Sequence, residues 1–245
     1  MRNFKVTLQY EGTRYQGWQK QESTDNTIQG KLEALLSKMA GTKVEIQGSG
    51  RTDAGVHAAG QVANFYLDTD QSPSQIMDSM NFYLPEDIAV ISIEEVPERF
   101  HSRLNAKGKT YLYRVINSPV PHIFDRKYAW TVEEKLDVDA MRKAAAFLEG
   151  THDYKAFTSL KKSKKSTVRT VECILIECVD DEIRFTFRGD GFLYHMVRIM
   201  MGTLIEVGLH KKKPEEITGI FEKGLRENAG ELVPAKGLTL LEVRY

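Results

Sequence analysis

The sequence predicts an α+β protein made of two tandem β-α-β-β-α-β units, and three observations carry that expectation. Segments such as Phe4–Tyr10 and Thr110–Asn117 alternate apolar and polar residues, the period of a half-buried strand. Between them lie segments with apolar residues three and four apart, the period of a helix that buries one face. The two periods follow each other in the same order in both halves of the 245 residues, with a join near Leu104 to Gly108. Domains are therefore expected at 1–104 and 105–245, each a helix-backed antiparallel sheet of the ferredoxin-like, RRM-like kind.

In the first half, Phe4 to Tyr10 alternates as a strand and ends at Glu11-Gly12. Thr27 to Met39 places Ile28, Leu32, Leu35, Leu36 and Met39 on one helical face, with Asn26 as the expected N-cap. Strands are expected around Val44–Ile46 and over Gln61–Leu67, a helix opening at Ser72-Pro73 and running through Met80, and a strand over Ala89–Val96. In the second half, Thr110–Asn117 reads as a strand and Asp137–Glu149 as a helix stopped by Gly150. Val168–Val179 and Ile183–Arg188 read as strands joined at Asp180-Asp181, Phe192–Val207 as a helix and Leu238–Val243 as the closing strand.

Composition narrows the function classes. Hydrophobic residues at 41% with 28% charged describe a globular chain, not a disordered one. The longest apolar stretches, Val197–Ile205 among them, are interrupted by arginine or are far shorter than a membrane span. The start, Met-Arg-Asn-Phe-Lys-Val-Thr-Leu, reads as a first strand and not a signal peptide, so a cytoplasmic location is expected. Cys173 and Cys178 stand an odd number of positions apart in one strand and point to opposite faces, which argues against a disulfide; without a second pair or nearby histidines they are poor zinc ligands too. Net charge is formally zero but uneven: residues 1–104 hold 10 Lys/Arg against 14 Asp/Glu, and the remainder 24 against 20. Tyr154 to Val171 carries Lys155, Lys161, Lys162, Lys164, Lys165 and Arg169 with no acid, and Lys211–Lys213 forms a second run. Such a run is either a solvated loop or a flexible contact to phosphates.

The most informative segment is Gly48-Ser49-Gly50-Arg51-Thr52-Asp53-Ala54-Gly55-Val56-His57-Ala58, a glycine-rich bend holding an arginine and a carboxylate. Gly50 and Gly55 have the spacing of a nucleotide P-loop, but Val56-His57 stands where Lys-Ser/Thr is needed to hold phosphates and magnesium. Asp53-Ala54-Gly55 also matches half of an aspartic protease dyad; no partner carboxylate motif is evident, and Arg51 would favour ionisation over a shared proton. The six histidines show no metal-ligand spacing and no G-x-S-x-G occurs, so Asp53 is the best placed catalytic candidate and no cofactor or metal is expected. In Lys109–Arg114, alternation sends Lys109, Tyr111 and Tyr113 to one face, either as strand-to-core packing or as an aromatic platform for a nucleobase. Gly189–Arg198 places a glycine turn before a helix, with Arg198 six residues into it among apolar neighbours; such an arginine usually has a carboxylate or phosphate partner.

Together, GSGRTDAGVHA, Phe100-His101-Ser102-Arg103, the KTYLYR strand and GDGFLYHMVR with Met201-Gly202-Thr203-Leu204 resemble the family of tRNA pseudouridine synthases that act on positions 38, 39 and 40 of the anticodon stem-loop. The resemblance runs from the first strand to the last and is most specific at Arg51–His57, while the Lys161–Lys165 run is no signature of the family. It implies isomerisation of uridine to pseudouridine without redox change or group transfer, in a cleft between the two units. It further implies that Asp53 is the catalytic aspartate, that Arg51 helps displace the target nucleotide, that Tyr111 packs on the flipped base and that Arg198 reaches the aspartate. Lys161, Lys162, Lys164, Lys165 and Arg169 would then contact the RNA backbone, and the enzyme would be a homodimer with tRNA as its partner. The main rival is a non-catalytic RNA-binding protein with the same sheets, which gives no reason for Arg51-Thr52-Asp53 on a glycine turn. A synthase acting on another RNA would share every one of these residues.

Overall fold

A computed structural model describes residues 1–160 and 166–245. The described elements run β1 (Arg2–Tyr10), α1 (Ile28–Ala40), β2 (Ile46–Gly48), β3 (His57–Leu67), α2 (Pro73–Tyr83) and β4 (Ile88–Val96). They continue as β5 (Gly108–Asn117), β6 (Trp130–Val132), α3 (Val138–Leu148), β7 (Gly150–Asp153), β8 (Val168–Val179), β9 (Glu182–Gly189), α4 (Met196–Gly208), α5 (Glu216–Lys223) and β10 (Leu238–Arg244). The protein is α+β, as its two periodicities predict, and no described helix is long and apolar enough to cross a membrane. Two compact units emerge, Met1–Lys107 together with Thr239–Tyr245, and Gly108–Leu238.

In the first unit β1 lies between β3 and β4, antiparallel to both, and β3 also carries the short antiparallel β2. The alternation that marked β1 buries Phe4, Val6, Leu8 and Tyr10, and the same unit buries Ile28, Leu32 and Leu36 of α1 and Ile76 and Met80 of α2. Helix α1 begins one residue later than the sequence suggests: Thr27, not Asn26, is the N-cap, because its hydroxyl accepts the Gly30 amide at 3.1 Å. Helix α2 starts at Pro73 behind Ser72, whose side chain and Gln75 form a reciprocal capping box. The closing strand β10 is the surprise. Within this unit it runs parallel to β3, pairing Thr239 with His57 and Leu240 with Ala58. Gly60 permits that approach, since a Cβ there would stand 2.2 Å from the Leu241 carbonyl oxygen.

The second unit strings β5, β9, β8 and β7 into an antiparallel sheet, with β6 parallel to β5. Met141, Ala144 and Leu148 of α3 and Ile199, Met200 and Leu204 of α4 are buried with Tyr113, Phe185 and Phe187 of the sheet. Asp137 caps α3 by accepting the Ala140 amide. The helix expected from Phe192 starts instead at Met196. His195 adopts a left-handed φ of 65° and the Met196 amide bonds the Leu193 carbonyl, so the four residues before Met196 form a bend and Arg198 lies in the first helical turn. Strands β6 and β7 are too short for a period to register, and α5 is a short helix burying Ile217 and Ile220. Cys173 and Cys178, both on β8, are free thiols.

Candidate active site

The glycine-rich segment leaves β2 at Gly48 and enters β3 at His57, and it is held from several sides at once. From below, the Gln61 amide donates to the Gly50 carbonyl at 3.0 Å and accepts from the Ser49 hydroxyl at 2.8 Å, while Tyr10 Oη and Thr52 Oγ1 share a 2.8 Å bond. Burial pushes the Tyr10 phenol up to about 12, despite the Thr52 bond, so it stays a neutral hydroxyl at physiological pH. From the flank, the Trp18 amide donates to the Thr52 carbonyl at 3.0 Å and the Gly55 amide to the Tyr15 carbonyl at 3.3 Å. The fit is close: a Cβ on Gly48 would stand 2.5 Å from the Trp18 ring, and one on Gly17, whose φ is +87°, would stand 2.7 Å from the Thr52 oxygen. Five hydrogen bonds and two glycine contacts thus fix the backbone on which Asp53 stands.

Asp53 itself is half-buried, and its carbonyl accepts the Val56 amide at 3.1 Å to close the turn through Gly55 at φ +79°. Thr52 and Val56 are buried on either side, so the chain dips into the core, comes outward at Asp53 and Ala54 and dips again. His57 is buried at the head of β3, where Nδ1 accepts the Gly12 amide at 3.0 Å; that bond places the proton of a neutral ring on Nε2. Arg51 is exposed, and its Nε donates to Gln19 Oε1 at 2.9 Å. This loop is one half of the expected site, with Arg51 and Asp53 two residues apart.

The residues expected from the second unit stand on β5 and α4. Tyr111 is buried and packs edge-to-face on Phe192, with ring centroids 5.4 Å apart and planes at 89°. Tyr113, on the same face of β5, is core: it is fully buried and its hydroxyl donates to the Pro234 carbonyl at 2.7 Å. Burial drives its phenol well above the ordinary tyrosine range, with the nearby Arg198 cation opposing. Arg198 is half-buried and its Nε donates to the Val233 carbonyl at 2.9 Å. Arg169, at the start of β8, turns its guanidinium back to the carbonyls of Ser166 and Val168. Lys161, Lys162, Lys164 and Lys165 lie outside the described residues.

Sequence reasoning missed the supports of the loop. Tyr10, Gln61 and Gln19 sit in ordinary strand or loop positions, and no spacing marks them. Gly12 and Gly17 were the available signal, because two glycines so close together before a helix point to a backbone packed against something.

Comparison with known proteins gives the family. A family model described as "tRNA pseudouridine synthase" matches residues 7–105 and 144–245, which include Arg51, Asp53 and Arg198 but not Tyr111. Three relatives align over 245 residues, covering all of both chains. They are "tRNA pseudouridine synthase A" of Bacillus sp. (strain KSM-64) at 50% identity, "tRNA pseudouridine synthase A 1" of Clostridium tetani at 46%, and "tRNA pseudouridine synthase A" of Acetivibrio thermocellus at 44%. With one residue in two shared from end to end, and the pinned Asp53 loop inside the matched segment, the chain belongs to the tRNA pseudouridine synthase family.

Proposed function

We propose that this chain isomerises uridine to pseudouridine at positions 38, 39 and 40 in the anticodon stem-loop of tRNA, with Asp53 as the catalytic carboxylate. The observation that carries the proposal is the contrast at the Arg51–Gly55 turn: a backbone anchored on several sides carries a half-buried aspartate two residues from an exposed arginine. A structural bend needs neither the cation nor the carboxylate. A site that must meet a ribose carbon or a base within bonding distance needs both, on a backbone that does not give.

In the reaction the C1′–N1 bond breaks, the freed uracil turns, C5 bonds to C1′, C5 loses its proton and N1 gains one. A carboxylate can stabilise or trap the ribosyl cation, add to the base or accept a proton. Arg51 contacts phosphate once the uridine has left the stack. The resemblance assigns Tyr111 to packing against the displaced base and Arg198 to pairing with the carboxylate, so that both serve the same uridine as Asp53. The lysine-rich segment and Arg169 contact the RNA backbone, and the enzyme acts as a cytoplasmic homodimer.

The test uses unmodified tRNA carrying tritium at uridine C5. Tritium is released without added nucleotide or metal, and Asp53→Asn abolishes release while tRNA binding is retained. Turnover of Asp53→Asn at the wild-type rate would overturn the assignment. Release from another RNA and not from tRNA would leave the chemistry standing and move the substrate.

A further inference from the structure

Arg51 is an exposed arginine that, on the reading above, must be aimed at a nucleotide leaving its stack. A long side chain in water samples many rotamers, and only the correctly aimed fraction is of use. The structure holds a device that restricts it. Its Nε donates to Gln19 Oε1 at 2.9 Å; Gln19 Nε2 donates to Gln29 Oε1 at 2.8 Å; and Gln29 Nε2 donates to Glu33 Oε1 at 2.9 Å. Glu33 is buried, and the same oxygen accepts the Ile46 amide at 3.2 Å while Oε2 faces Lys20 Nζ at 3.4 Å.

The direction of this chain is set by its ends. A carboxylate only accepts, so Gln29 must turn its NH2 to Glu33 and its oxygen outward. That oxygen then takes the Gln19 NH2 and, at 3.0 Å, the Lys20 backbone amide. Gln19 is left with its carbonyl oxygen outward, facing a guanidinium that can only donate. Flipping either amide would set acceptor against acceptor or donor against donor at two joints. The chain also rests on rigid parts. Gln29 and Glu33 are one turn apart near the start of α1, whose Ile28 and Gln29 amides donate to the Gly17 and Trp18 carbonyls, and Trp18 bonds the loop that carries Arg51.

We propose that Gln19 is a positioning residue for Arg51, oriented through Gln29 by the buried carboxylate of Glu33. Holding the guanidinium by Nε points the remaining donors on Nη1 and Nη2 away from Gln19, as a pair suited to a phosphate. The inference rests on the proposed role of Arg51, but the order of the side chain can be read without RNA.

The experiment has two readouts on the full chain. The first is the 15N heteronuclear NOE of the Arg51 Nε–H in the free protein, identified by its loss in Arg51→Lys. A restrained signal is expected in the wild type and a mobile one in Gln19→Ala; a signal already mobile in the wild type, or unchanged in Gln19→Ala, overturns the proposal. The second is single-turnover tritium release with saturating tRNA. Gln19→Ala should slow it about 3- to 10-fold, the dilution expected when one rotamer becomes several, with tRNA affinity changed by less than about twofold. Placed on Arg51→Lys, the same change should cost no more than about a further twofold. Equal slowing in both backgrounds would mean that Gln19 acts elsewhere, and overturns the proposal. If the wild type releases no tritium, the proposed reaction fails, while the NOE still decides whether Gln19 holds Arg51.

Discussion

Replacing Gly17 by alanine probes how tightly the Asp53 loop is seated, and Gly41→Ala supplies a matched control. Both glycines have left-handed backbones, with φ of +87° at Gly17 and +67° at Gly41. At Gly41, the C-cap of α1, a Cβ would meet nothing within 4 Å. Its alanine variant therefore carries only the conformational cost, about 1–2 kcal/mol. At Gly17 the new Cβ would stand 2.7 Å from the Thr52 oxygen and 3.1 Å from the Ala54 nitrogen, both backbone atoms flanking Asp53. Neither can rotate away as a side chain could. The overlap adds about 1–3 kcal/mol, for a total of roughly 2–5. For a chain of this size about 2–4 °C of melting temperature is lost per kcal/mol. Gly41→Ala should thus melt about 2–8 °C below wild type and Gly17→Ala about 4–20 °C below, the further drop being the overlap. Only Gly17→Ala should also lose tritium release when assayed well below its own transition, because relieving the overlap moves Asp53. Equal melting temperatures, or full activity in a folded Gly17→Ala, would show that the loop yields without consequence and would refute the reasoning.

Other expectations follow from particular contacts. Glu182 is held down at about 2, chiefly by its hydrogen bonds from Arg114, with Arg184 adding to them. A carboxylate whose folded value lies below its ordinary 4.5 contributes stability that is present above that pH and fades as the pH falls toward about 2. The urea midpoint should therefore drop between about pH 5 and pH 3, with a shallower drop in Glu182→Gln; an unchanged slope would count against the pair. Tyr113→Phe leaves the Pro234 carbonyl without its 2.7 Å donor and should cost about 1 kcal/mol in urea denaturation, whereas no loss would mean that water replaces the hydroxyl. Replacing Lys161, Lys162, Lys164 and Lys165 by alanine should weaken tRNA binding and flatten its dependence on salt; an unaltered slope would return that segment to a solvated loop.

Strand and helix type were legible wherever a segment was long enough to show its period. β1, β5, β8, the helix α3 and the buried face of α1 are where alternation and helical spacing put them. Legibility failed at boundaries and in short pieces. The start of α4 was missed because residues 192–195 have apolar spacing compatible with a helix, and only a left-handed His195 breaks it. β6 and β7, of three and four residues, contain at most two full alternations. The tyrosine pair on β5 was correctly put on one face, yet composition could not divide it. Tyr113 is a core residue tied to Pro234, and Tyr111 meets Phe192.

By itself, the sequence determined the α+β class and singled out Asp53, because periodicity and a glycine turn bearing a lone Arg-x-Asp are local properties of neighbouring residues. The tertiary structure alone decided what immobilises that turn. Tyr10, Trp18, Gln61 and Gln19 come from a strand, a loop and a second strand far apart in the chain, and hydrogen bonds between such segments leave no spacing to read. It also decided where the last strand goes. β10 lies beside β3 because Gly60 leaves room for a neighbouring backbone, a steric permission that a single glycine in a strand does not announce.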